Sequence, residues 1–136
     1  MSNDEKPACK LIRLSVLGYR LSVCKCTEVP ADLLSGGFCS IARTDDEISV
    51  VCETGKAPEY TISREDGWRA FKVEGPLDFS LVGILAKLSS ALADAKVPLF
   101  ALSTFDTDYV LVKGEKLEAA IAALSNAGCL VEGHDA

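Results

Sequence analysis

The chain has 136 residues, 49% of them apolar and 25% charged, a composition typical of one globular domain or two small ones sharing a core. The net charge of -6 and the scattered placement of the 14 basic residues argue against a nucleic-acid-binding surface, which needs clustered Lys and Arg. No stretch reaches the roughly 18 apolar residues that span a bilayer, and the polar residues 1–7 match neither a secretory signal nor a transit peptide, so we expect a cytoplasmic protein without membrane contact.

The six cysteines are interpreted as small buried apolar residues rather than as a disulfide framework, because no export signal accompanies them. No Cys-x-x-Cys pair is present, and the only histidine, His134, lies in the tail. A structural zinc site needs four ligands in a closed arrangement. We therefore predict no metal and no cofactor. The cysteines are Cys9, Cys24, Cys26, Cys39, Cys52 and Cys129.

The first half of the chain reads as short strands with little helix. Alternation from Arg13 onward is interrupted at Gly18–Tyr19, which fits either two strands or one long bent strand. Residues 31–35 can form one or two helical turns before a glycine pair. Residues 38–53 predict a hairpin with Asp45–Asp46 at its tip.

This hairpin has a predictable register. With the two aspartates at the tip, Cys39 faces Cys52 and Ile41 faces Val50. A Cys39–Cys52 disulfide is geometrically conceivable, although a reducing cytosol disfavours it. The polar residues 60–66 are taken as the connection to the second half.

The second half alternates strands and helices in the split βαβ order, β-α-β-β-α-β. Apolar residues recur at three- and four-residue spacing in the first predicted helix, for which Ser80 can serve as the N-terminal cap. The predicted elements are a strand over 68–74, a helix over 81–95, hairpin arms over 99–103 and 109–113, a helix over 115–127 and a strand over 129–132.

A weak internal repeat links the halves. Placing Asp46 on Asp108, at an offset of 62 residues, aligns the alternation of the two hairpins. We therefore predict two domains, a diverged N-terminal unit over 1–66 and a C-terminal unit over 67–136.

The sequence gives little support for catalysis. The single tail histidine disfavours a nucleophile–base pair, and neither a P-loop nor a Gly-x-Gly-x-x-Gly motif is present. The paired carboxylates Asp45/Asp46 and Asp106/Asp108 both lie on predicted turns, where aspartate is common. We expect the protein not to be an enzyme.

Asp106 and Asp108 have a distinctive context. Their turn is expected to lie beside a loop that opens a helix, and unpaired N–H groups at a helix N-terminus attract a carboxylate. A hairpin carboxylate can take an ammonium group, so the pattern suits an α-amino acid. On the pattern alone, ordinary turn chemistry is the leading interpretation of both carboxylates.

These residues resemble a known family. The runs Gly75–Ala86 and Leu99–Val112, above all Ser-Thr-Phe-Asp-Thr-Asp-Tyr-Val-Leu-Val, are similar to an ACT domain. More narrowly, they resemble the ACT subfamily of the CASTOR-type cytosolic arginine sensors. The resemblance is strong over residues 68–128 and weaker, but in register, over residues 11–53.

The resemblance implies an α+β fold of two ferredoxin-like ACT units, with antiparallel sheets packed against helices. It also implies a tandem-repeat regulatory protein that binds an amino acid, arginine or another polar one, between ACT units. A homodimer would supply four units, and regulation would act through a protein partner. The implied ligand contacts are Gly75, Leu77, Asp78, Ser80, Pro98, Leu99, Thr104, Phe105 and Asp108.

Among these contacts, the resemblance implies that Asp108 binds the cationic end of the ligand and that Phe105 covers its aliphatic stem. Pro98 has no N–H to donate to a ligand carboxylate, which weakens the expectation of arginine. Two alternatives stay open: an interaction module whose ligand site has decayed, and a small enzyme that uses a carboxylate or a cysteine.

Overall fold

A computed structural model describes residues 12–74 and 83–133 of the chain. These residues form eight strands and two α-helices, which confirms the α+β class. The elements are β1 Arg13–Val16, β2 Leu21–Cys26, β3 Cys39–Arg43, β4 Ile48–Glu53, β5 Ser63–Val73, α1 Ile84–Asp94, β6 Phe100–Ser103, β7 Asp108–Lys113, α2 Leu117–Asn126 and β8 Leu130–Glu132.

The chain divides into two compact units. The larger unit comprises Met1–Gly18 and Ala70–Ala136, and the smaller unit comprises Tyr19–Arg69. Strand β5 contributes residues to both. The units differ from the predicted domains, 1–66 and 67–136, because β1 groups with the C-terminal part of the chain. Two successive domains remain a prediction about how the sequence is organised.

The sheet of the larger unit runs in the order β6-β7-β5-β1-β8. Leu14 of β1 pairs with Val73 in the antiparallel neighbour β5 and with Val131 in the parallel neighbour β8. From β5 onward this unit has the predicted β-α-β-β-α-β order. The insertion of β1 between β5 and β8 was not predicted, because a parallel pairing between distant segments leaves no local sequence signal.

Both helices of the larger unit turn one apolar face to a single core. Helix α1 begins after Gly83, whose φ of 85° is one that glycine adopts readily, and the Lys87 N–H donates to the Gly83 carbonyl at 2.9 Å. Ser80, the predicted cap, lies outside the described residues. The core includes Leu14, Val16, Phe71, Val73, Leu88, Leu92, Val110, Val112, Ala120 and Leu124.

The smaller unit contains strands but no α-helix within its residues 19–69, all of which the structure describes. Its strands run β3-β4-β2-β5. The predicted hairpin register is confirmed, since Cys39 pairs with Cys52 and Ile41 with Val50. The 3-10 turn Leu33–Ser35 confirms the short helical segment and buries Leu33.

The N-terminal part of β5 corrects a prediction. Residues 63–66, expected in a connecting loop, are strand residues, and Ser63 to Glu65 pair with Lys25 to Val23 of β2. The register then shifts at a bulge containing Gly67, with φ of 86°. Here Asp66 accepts hydrogen bonds from Ser22 at 2.5 Å and from Arg64 at 2.7 Å. A polar strand with a bulge resembles a loop when only the alternation is considered.

No helix within residues 12–74 and 83–133 is both long enough and apolar enough to cross a membrane.

Candidate functional site

The turn of the β6–β7 hairpin is closed by two threonines. The Thr104 N–H donates to the Thr107 carbonyl at 2.8 Å, and the Thr107 N–H donates to Thr104 Oγ1 at 3.3 Å. The Thr104 hydroxyl also donates to the Thr107 carbonyl, at 3.1 Å. Because Thr104 uses its N–H and its hydroxyl inside the turn, its carbonyl is the polar backbone group it can offer a ligand.

Asp108 is the first residue of β7 and is half-buried. Its cross-strand neighbour Ser103 donates a hydrogen bond from Oγ to Asp108 Oδ1 at 2.6 Å. This bond orients the carboxylate, since a charged acceptor shortens and strengthens the interaction. Asp108 forms no ion pair with any residue in the described part of the chain.

Thr107 anchors the hairpin turn and was not among the predicted contacts. Its side chain is buried, and its hydroxyl donates to the carbonyl of Val73, the last residue of β5. The bond fixes the hairpin turn at the end of β5, from which the chain continues through Glu74 to residue 75. No periodicity identifies Thr107, because a polar residue in a turn is expected to be exposed.

Phe105 stands at the hairpin tip with 88% of its surface exposed. Asp106 beside it is also exposed. Burying a phenylalanine side chain is worth roughly 1.5–3 kcal/mol, so an exposed one beside a carboxylate favours a surface that a ligand or partner covers.

Two of the remaining predicted contacts, Pro98 and Leu99, do not lie at this turn. Pro98 is exposed, and Leu99, which is half-buried, packs against the core of the larger unit. Both precede β6, whereas Thr104 follows it, so about five residues of extended chain, roughly 17 Å, separate them from the turn. The structure brings Thr104, Phe105 and Asp108 together. Gly75, Leu77, Asp78 and Ser80 lie outside the described residues.

An open groove of about 320 Å³ lies between α1 and α2, and none of its lining residues is a predicted contact. Alanines form most of its wall, and it offers few polar groups. The lining residues are Ala91, Asp94, Ala95, Ala123, Asn126 and Ala127.

The thiols do not resemble activated nucleophiles. Burial, followed by the neighbouring thiols Cys24 and Cys39, raises the pKa of Cys52 to about 11. Burial likewise raises the pKa of Cys24, Cys26 and Cys39. A protonated thiol is a weak nucleophile and a poor metal ligand. Among residues 12–74 and 83–133, no group of three or more His, Cys, Asp and Glu side chains is placed to hold a metal ion.

The β3–β4 hairpin of the smaller unit repeats the same turn. The Thr44 N–H donates to the Glu47 carbonyl at 2.9 Å, and the Glu47 N–H donates to Thr44 Oγ1 at 3.2 Å. Thr44 and Thr104 are 60 residues apart. Matching the hydrogen bonds therefore corrects the predicted offset of 62 and pairs Asp108 with Ile48 instead of Asp46.

Residues 63–126 match the family model described as an ACT domain. This segment is an ACT domain. A second family model, described as an N-terminal domain, matches residues 20–60. Residues 61 and 62 separate the two matches.

The chain is 28% identical over 132 residues to a rat protein named cytosolic arginine sensor for mTORC1 subunit 1, an alignment that covers 87% of this chain and 38% of the rat protein. The chain thus spans less than two fifths of that relative.

Among solved structures, an Agrobacterium tumefaciens protein is 35% identical, with a TM-score of 0.83 over 92% of this chain and 95% of its own. The regulatory subunit of aspartate kinase from Thermus thermophilus, at 11% identity and a TM-score of 0.58, covers 84% of this chain and 95% of its own. At that identity the second likeness shows the fold alone.

Proposed function

We propose that this protein is a regulatory amino-acid sensor without catalytic activity, with its ligand site on the β6–β7 hairpin. The observation that carries the proposal is Asp108: a half-buried carboxylate, oriented by Ser103 at 2.6 Å and free of any ion pair within the described residues. The ACT-domain match over 63–126 and the arginine sensor among the relatives support an amino acid as the ligand class.

The ligand is held between this hairpin and a second ACT unit. Among the described residues, Thr104, Phe105 and Asp108 form only one wall, and Pro98 and Leu99 lie at the far end of β6. A second unit facing the hairpin would cover Phe105 and complete the site. We assign that role to another copy of the chain, in a homodimer that acts in the cytoplasm on a protein partner.

Asp108 selects for the cationic group of the ligand. That group is either the α-ammonium, which every amino acid carries, or a cationic side chain such as that of arginine. Comparing arginine with citrulline, which lacks the side-chain charge, and with N-acetylarginine, which lacks the α-ammonium charge, separates the two.

The test is a calorimetric titration of the folded protein with each common amino acid. A ligand at 100 times its Kd should add about 2.7 kcal/mol to the free energy of unfolding, and Asp108→Ala should remove that gain. Absence of heat and of stabilisation for every amino acid, with a normal circular dichroism spectrum, contradicts the proposal.

A protein-interaction module is the second candidate, favoured by a specific observation in the smaller unit. Leu34, Tyr60 and Ile62 leave 78%, 82% and 56% of their surfaces exposed. Exposed large apolar side chains suit a partner surface. A partner recovered with equal yield in the presence and absence of amino acids would favour this candidate.

A further inference from the structure

One face of the smaller unit is unusually rich in thiols. Cys24, Cys26 and Cys52 are buried in its core, and the half-buried Cys39 packs against them. All four are free thiols. The proposed function uses none of them.

The hydrogen bonds of the hairpin fix how Cys39 meets Cys52. The Thr44 N–H donates to the Glu47 carbonyl at 2.9 Å, which puts this pair at a hydrogen-bonded position of the ladder, and the register from there to Cys39 and Cys52 is regular. Hydrogen-bonded and non-hydrogen-bonded pairs alternate along an antiparallel ladder. Counting from Thr44, Cys39 and Cys52 form a non-hydrogen-bonded pair.

That type of pair suits a disulfide. Its Cα atoms lie about 4.5 Å apart and its side chains are closer than in the hydrogen-bonded type. Disulfides join residues whose Cα atoms are roughly 4.4–6.8 Å apart. The bond therefore needs little change in the backbone.

The two thiols also differ in access. Cys39 is half-buried on β3, which lies at the edge of the smaller unit's sheet, whereas Cys52 on β4 is 1% exposed. An oxidant reaches Cys39 first, and Cys52 is held beside it as the resolving thiol.

We propose that Cys39 and Cys52 are a reversible redox pair that hydrogen peroxide converts into a disulfide across β3 and β4. The Cys39 thiol loses its proton to water, and its sulfur attacks one peroxide oxygen, forming a sulfenic acid and releasing hydroxide. Cys52, deprotonated in turn, attacks the Cys39 sulfur and displaces the second hydroxide. Two thiols and one peroxide thus give one disulfide and two waters, and a dithiol reductant returns both thiols.

Burial raises the pKa of both thiols, so the thiolate is scarce at neutral pH and the reaction is slow compared with that of a peroxidase cysteine. A slow reaction fits a pair that responds to sustained oxidation and does not turn over.

The test treats the full chain with excess hydrogen peroxide, alkylates the remaining thiols, and maps peptides without reduction. We expect a Cys39–Cys52 linked peptide that lacks two hydrogens, while Cys24 and Cys129 are recovered alkylated. The linkage should raise the urea midpoint of unfolding, and dithiothreitol should reverse both changes.

Matched variants separate this pairing from others. Cys129→Ser, in the larger unit, should leave the linked peptide and the midpoint shift in place, whereas Cys39→Ser should remove both. If Cys39→Ser fails to fold, the wild-type peptide map decides alone. Separate alkylation of Cys39 and Cys52 after peroxide treatment, oxidation of Cys39 only to sulfinic acid, or a Cys24–Cys52 linkage overturns the proposal.

Discussion

The two hairpins share a turn and differ at the residues beside it. Thr44 and Thr104 close their turns with matching hydrogen bonds, and Asp46 and Asp106 occupy the same exposed position. The return strands β4 and β7 bury their residues in the same order, and a 3-10 turn follows each. Turn chemistry is therefore common to both hairpins and carries no information about binding.

The difference begins at the first pair after the turn. The larger unit has Ser103 opposite Asp108, joined at 2.6 Å, where the smaller unit has Arg43 opposite Ile48. Thr107, buried and bonded to Val73, corresponds to the exposed Glu47. The two hairpins therefore share the hydrogen bonds of their turns and differ in the residues that flank the turns.

The largest loss of stability is expected for substitutions at the central positions of the return strands β4 and β7. Leu111 and Val51 are matched and almost fully buried. Leu111→Ala should lower the free energy of unfolding by about 2–5 kcal/mol. Val51→Ala removes fewer carbons and should cost less. Urea denaturation measures both losses of stability. Equal losses in the two variants would contradict the expectation that the larger deletion costs more.

The hairpins also differ in their response to alkaline pH, because Cys52 of the smaller unit corresponds to Val112, which does not titrate. With its pKa raised from 9.0 to about 11, the Cys52 thiol binds its proton more tightly in the folded chain than in the unfolded chain. The free energy of unfolding should therefore fall as pH rises from 9 to 11.

Cys52→Ala should make this decline shallower, and Cys129→Ala serves as the control in the larger unit. Urea midpoints measured at several pH values report the slope. A decline of unchanged steepness in Cys52→Ala would assign the alkaline sensitivity to other groups.

The Thr107 side chain should contribute more to stability than that of Glu47, its counterpart in the smaller unit. Thr107→Val keeps the shape but leaves the Val73 carbonyl without its donor, and should cost about 1–3 kcal/mol. Glu47→Ala, at the matched exposed position, should stay within about 0.5 kcal/mol of the wild type. Similar small losses in both variants would mean that Thr107 does not anchor the hairpin.

The smallest loss of stability is expected at the two turn threonines, which occupy equivalent positions in the two hairpins. Thr104→Ala and Thr44→Ala each remove a hydroxyl from an equivalent turn, and each should cost about 0.5–1.5 kcal/mol. Thermal unfolding compares the two directly. A large loss at one threonine alone would contradict the equivalence of the turns.

Features set by residues close together in the sequence were predicted correctly, and features that depend on distant residues were missed. The Cys39–Cys52 register and the second-half element order were confirmed, because a turn and a residue spacing are local signals. The pairing of β1 with β8 and the strand character of Ser63–Asp66 were missed, since both depend on distant partners. At the site, Phe105 and Asp108 could be singled out from the motif, whereas the role of Thr107 depends on a carbonyl 34 residues away.

We expect Asp108, and not Asp106, to receive the cationic end of an amino acid. The most direct measurement is calorimetric titration of wild type, Asp108→Asn and Asp106→Asn with the amino acid that binds wild type most tightly. Removing one partner of a buried charge pair typically costs about 2–5 kcal/mol. We therefore predict a Kd raised by about 30-fold or more for Asp108→Asn and an unchanged Kd for Asp106→Asn. Equal affinities for all three proteins, or a loss confined to Asp106→Asn, would contradict the assignment of Asp108.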